Sequence, residues 1–101
     1  MIPVVELFMS MIGVSVASSK SLQLEVTQEA YNNQIGRLNT FLVKDNTHED
    51  TVMAKMVELT QQEATLSQFS AGELGKMHSE IKHNIDAFLS GLMKSTEHRI
   101  Y

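Results

Sequence analysis

The sequence contains no cysteine and no tryptophan, a single proline, and only two tyrosines and four phenylalanines. Without cysteine there is neither a disulfide framework nor a thiolate metal site, and because secreted proteins can also lack cysteine the compartment stays open. The one proline is Pro3, and a chain so poor in breakers beyond it favours helices over a turn-rich all-β fold. Basic charge is also scarce. The eight Lys and Arg are scattered from Lys20 to Arg99 and the net charge is -4, so no electrostatic footprint for nucleic acid is present. The chain has no G-x-G-x-x-G, P-loop, G-x-S-x-G or C-x-x-C motif and no evident pocket-forming loop. It reads as a non-enzyme, with no catalytic residue, no cofactor and no small-molecule substrate.

What the chain does have is apolar surface arranged at helical spacing. Its 101 residues suffice for one domain with a modest core, and 43% hydrophobic residues can supply that core. Residues 1–17, "MIPVVELFMSMIGVSVA", are the most apolar part. Pro3 suits the first turn of a helix, where its missing N–H would have no partner anyway. On a helix, Glu6, Ser10, Gly13 and Ala17 form one narrow small-or-polar stripe and nearly everything else is apolar. The stretch is too short and too interrupted by Glu6 and Ser10 for a membrane span, which needs about 20 predominantly apolar residues. Proximity to a membrane through residues 1–17 is compatible with it. Ser15-Val16-Ala17 resembles a signal-peptidase site, but no Lys or Arg precedes the apolar run. The preferred reading is a helix buried in an assembly, with Val4, Val5, Phe8, Met11 and Ile12 as a partner-binding surface.

Ser18, Ser19 and Ser21 around Lys20 mark a junction and offer N-cap hydroxyls to a second helix over about residues 21–43. Its stripe is Leu24, Tyr31, Ile35, Leu38 and Leu42, with a polar gap at Thr27/Gln28. "KDNTHED", residues 44–50, is the clearest loop, and Thr47 with Asp50 resembles a capping box. Val52, Met56, Leu59 and Leu66 then follow a seam of about 3.5 residues whose missing member is Glu63, flanked by Met53, Val57 and Ala64. The last helix carries Leu74, Met77, Ile81, Ile85, Phe88 and Leu92. Between these two, "LSQFSAGELGKM" holds a capping box, Ser70-Ala71-Gly72-Glu73, together with Gly72 and Gly75. Gly72 could accept the positive φ that ends a helix, and Gly75 could leave room for a neighbouring chain. Because the apolar stripe resumes almost in phase, a kink is preferred here to a full reversal. The expectation is an all-α, elongated helical hairpin of three to four helices with a kink or break near residues 70–75, divided into a docking helix (1–19) and a hairpin domain (20–101).

Metal chemistry finds little support. His78 and His83 are five apart and lie on different helix faces, and the lone Glu80-x-x-His83 lacks the second copy that a diiron bundle needs. The methionines, among them Met9, Met11, Met53, Met56, Met77 and Met93, suit either an adaptable core or a surface that fits unlike neighbours.

Residues 56–92, "MVELTQQEATLSQFSAGELGKMHSEIKHNIDAFLSGL", place Leu59 and Gln62 early, then Phe69, then Leu74, Met77, Ile81, Ile85 and Leu89. In that arrangement the C-terminal half resembles the inner-rod and needle subunits of bacterial type III secretion systems, small helical proteins with a polar turn and a C-terminal helix packed in a helical tube. Three features depart from that pattern: the turn has no proline, the segment up to Phe69 is longer, and "KSTEHRIY" follows the last apolar cluster. The resemblance implies a structural role in protein secretion, located in the bacterial cell envelope or secreted as part of the assembly. It places the N-terminal helix on the export gate, and Phe69, Leu74, Met77, Ile81, Ile85, Phe88, Leu89 and Leu92 against other subunits. The alternatives are a cytoplasmic helical adaptor or chaperone that sequesters an apolar segment of a partner protein, and a secreted hairpin that has lost its first 17 residues.

Overall fold

A computed structural model describes the backbone of residues 4–100 and the side chains of residues 20–94. The chain forms three α-helices, α1 (Val4–Lys44), α2 (Glu49–Ala64) and α3 (Ala71–Ile100), with a short 3-10 turn at Leu66–Gln68 between the last two. No strand occurs among the described residues, and the fold is all-α. The molecule is elongated, with extents of 72 × 22 × 20 Å.

Two boundaries differ from expectation. The serines at 18, 19 and 21 do not start a new helix, because α1 runs unbroken through them. Serine costs little more than an average residue in a helix, and neither proline nor glycine lies between Gly13 and Gly36 to stop it. At the other end of α1, Thr47 and Asp50 do not form a capping box. The N-cap of α2 is His48, and the Thr47 amide instead donates to Asp45 Oδ1 at 3.0 Å. The hydroxyl and amide of Thr47 hold the Asp45 carboxyl below its usual pKa, which marks a closed Asx-type turn.

The chain reverses fully between α2 and α3, which corrects the preference for a kink. Helix α2 stops at Ala64, and the Thr65 amide and hydroxyl both bond back to Gln62 O. Six residues, 65–70, are then available for the turn, enough for an ordinary helix–helix connection. Leu66 sits fully buried in the middle of that turn. Ser70 then caps α3 with the box its sequence announces: its hydroxyl accepts from the Glu73 amide at 3.3 Å, and its own amide donates to Glu73 Oε1 at 3.4 Å.

The core is a heptad seam on all three helices. Tyr31 and Leu38 on α1, Val52 and Leu59 on α2 continuing to Leu66, and Leu74 and Ile81 on α3 are each seven residues apart, with Ile85 completing the buried apolar set. A seven-residue repeat keeps one narrow stripe turned towards the neighbouring helices along their whole contact. Thr27 and Gln34 lie in the same stripe of α1 and are buried despite being polar. Thr27 Oγ1 donates to Leu74 O at 3.1 Å, which fills the polar gap read at Thr27/Gln28 with a bond to α3.

Polar contacts set the register of each helix pair. Arg37 donates to Gln34 Oε1 at 2.8 Å and reaches Asp86 on α3 at 2.7 Å. Together with Thr27–Leu74, this pair makes α1 and α3 parallel. Glu63, the charged gap in the α2 seam, accepts both hydrogen bonds of the Asn32 amide at 3.1 and 2.8 Å when that amide is turned to suit it. Lys55 on α2 lies 5.2 Å from the centre of the Phe88 ring on α3 and 2.8 Å from Glu58. Helix α2 is therefore antiparallel to both of its neighbours.

Candidate protein-docking groove

Leu74, Ile81 and Ile85, expected to face a partner, face the bundle's own core instead. Phe69, Met77, Phe88, Leu89 and Leu92 are half-buried around that core. The side chains of Val4, Val5, Phe8, Met11 and Ile12 lie outside the described residues.

Gly72 does not have the role expected of it, and the space beside Gly75 is met by a residue of the same chain. Gly72 does not have positive φ, and a Cβ there would meet open space, so it is an ordinary first-turn residue of α3. The neighbour of Gly75 is Gln23 of the same chain, whose Oε1 would stand 3.6 Å from an added Cβ. That separation is normal van der Waals contact.

Leu22, Val43, Met53, Val57 and Met93 remain exposed among the described residues, and two of them, Met53 and Val57, line one groove between α1 and α2. Helix α1 contributes Ile35, Asn39 and Leu42, and α2 contributes Met53, Met56, Val57, Thr60 and Gln61, around a groove of 380 Å³. Met53 is 49% exposed and Val57 55%, although both lie beside fully covered seam residues. The heptad explains this. A seam with Val52 and Leu59 at its centre places residues one and five positions further on at its rim. Polar atoms at the rim come from Asn39, Thr60 and Gln61, and no charged residue lines the groove. An uncharged, open, methionine-bearing channel suits the apolar face of a helix, since thioether side chains adapt to the shape laid on them. The sequence flagged Met53 and Val57 as flanking residues. That both line one groove with Ile35, Asn39 and Leu42 of α1 is a tertiary fact which one-dimensional spacing does not contain.

The charged side chains do not converge on a second site. Glu80 lines a cleft with Tyr31, Lys55 and Glu58, whereas Asp86 turns to Arg37, so these two carboxylates lead to different neighbours. His78 and Lys82 border a groove of mixed character with Val26, Glu29, Ala30 and Asn33. Among the described residues no three His, Asp or Glu side chains are grouped to hold a metal ion, and no helix is long and apolar enough to cross a membrane. No protein-family model, curated protein or solved structure matches the chain.

Proposed function

We propose that this chain is a non-enzymatic structural subunit that assembles, with copies of itself or with other subunits, through apolar helical surfaces. The observation that carries the reading is the open groove between α1 and α2, whose exposed Met53 and Val57 the bundle leaves uncovered. A second supporting feature is the apolar sequence of residues 4–17, more than a lone helix with so narrow a polar stripe can cover. The assembly we propose is a bacterial protein-secretion apparatus of the type III kind, in the cell envelope or exported as part of it. That context rests on the resemblance carried by residues 56–92. Docking is assigned to residues 4–17 and to the groove, with Leu74, Ile81 and Ile85 reserved for the internal core. The groove also favours a second reading, a cytoplasmic adaptor or chaperone that holds an apolar helix of one client.

Size measurement of the full chain over a wide concentration range separates the two. A subunit forms rings or open-ended assemblies that grow with concentration, whereas an adaptor stops at a small fixed stoichiometry. Phe8→Asp with Ile12→Asp should abolish assembly while circular dichroism keeps the helical signal. Normal assembly by that double variant would remove residues 4–17 from the docking surface.

A further inference from the structure

We infer that the groove between α1 and α2 receives the apolar N-terminal segment of α1 from a second copy of this chain. The inference rests on the self-assembly reading above and names the contact that would drive it.

The first argument is one of matching length and period. The groove is lined on α1 by Ile35, Asn39 and Leu42, a run of i, i+4, i+7, and on α2 by Met53, Met56, Val57, Thr60 and Gln61, within which Met53, Val57 and Thr60 have the same spacing. Val4, Phe8 and Met11 form the same run on the N-terminal segment, and Val5, Phe8 and Ile12 form its i, i+3, i+7 companion. Helix-in-groove recognition uses this anchor spacing. With a rise of roughly 1.5 Å per residue, a seven-residue run covers about 10.5 Å in both groove and segment.

Charge is matched as well. No Asp, Glu, Lys or Arg lines the groove, and the one charge of the segment, Glu6, lies on its narrow polar stripe away from those anchors. An apolar face thus meets an apolar channel with no buried charge, and Glu6 stays at the solvent edge.

Continuity of α1 makes the donor a different molecule. Helix α1 is unbroken from Val4 to Lys44, so Ile12 and Ile35 lie on one rod about 35 Å apart at the helical rise. A chain cannot lay its own segment in its own groove without breaking that helix. A donor copy fills the groove of the next while its own groove stays open, a head-to-tail arrangement that propagates.

The test exploits the absence of native cysteine. Full-length Met11→Cys is mixed under mild oxidation with a mass-tagged full-length Val57→Cys, and separately with a tagged Glu29→Cys on the α1–α3 side. The inference expects a disulfide-linked heterodimer with Val57→Cys and little with Glu29→Cys. It also expects Met53→Asp with Val57→Asp, both at exposed positions, to raise the concentration for half-association by roughly tenfold or more with helicity retained. Equal cross-linking to both acceptors, or normal association by the groove double variant, overturns the inference, removes the groove from the docking surface and leaves self-assembly to rest on residues 4–17. A chain that stays monomeric at every concentration overturns both. Binding of a foreign apolar helical peptide to the groove of such a monomer would favour the adaptor.

Discussion

Gly72 and Gly36 are both helical, exposed, and open to an added Cβ. Neither uses the freedom that glycine provides, so each only enlarges the entropy of the unfolded chain. Gly36→Ala, at an interior helix position, should stabilise the fold by up to about 1 kcal/mol, and Gly72→Ala in the first turn of α3 by less. Urea unfolding of the two variants checks this, and a loss of stability at position 72 would mean that the backbone there differs from a helix. Tyr31 gives a residue-scale prediction about pH. Its burial, with a contribution from the Glu58 carboxylate, raises the phenol pKa above the ordinary value. The folded state therefore holds that proton more tightly than the unfolded chain does. Its contribution is complete below the unfolded pKa of about 10 and is lost as pH rises through the higher folded value. Tyr31→Phe should flatten that alkaline decline, read as melting temperature against pH; an unchanged slope would place its origin elsewhere.

At the scale of elements, the three stripes around residues 21–43, 52–66 and 74–92 were legible because apolar periodicity is a local property, and the Ser70–Glu73 capping box was legible for the same reason. The reversal between α2 and α3 was not. Leu66 and Leu74 stay close to helical phase whether the chain kinks or turns back, and only the early stop at Ala64 decides between the two. Glu63 was legible as a gap, yet its partner Asn32 lies on another helix, beyond the reach of any local pattern. Burial of Gln34 escaped for a similar reason, since what makes it tolerable is a bond from Arg37, which is itself fixed by Asp86 on α3. The turn carries the next prediction. Leu66→Ala should cost about 2–5 kcal/mol, because the side chain is fully buried and the neighbouring helices can close the cavity only in part. Ser70→Ala should cost about 1 kcal/mol through loss of the cap. Chemical denaturation that ranked these two in the opposite order would show that the cap, and not the buried leucine, holds the reversal.

At the scale of the whole molecule, the helices are mismatched in length. Helix α1 has 41 residues and α2 only 16, while α3 begins beside Gln23 and Thr27. With α3 starting beside Gln23 and Thr27 and running parallel to α1, residues 4–19 of α1 precede the level at which α3 begins. The groove was only partly legible for the same reason. Met53 and Val57 beside the α2 seam were visible in the sequence, whereas their pairing with the α1 residues that complete the groove was not. A truncation separates the roles of the two parts. The fragment 20–101 keeps Tyr31, Leu38, Val52, Leu59, Leu66, Leu74, Ile81 and Ile85, together with the Thr27, Asn32 and Arg37 contacts. It should therefore unfold cooperatively at a melting temperature close to that of the full chain, with only the ellipticity of the missing turns lost. It should also lose concentration-dependent association. A fragment that melted without cooperativity would mean that residues 1–19 belong to the folding unit and are not a docking arm. A folded fragment that still assembled would show that contacts between bundles suffice without residues 1–19.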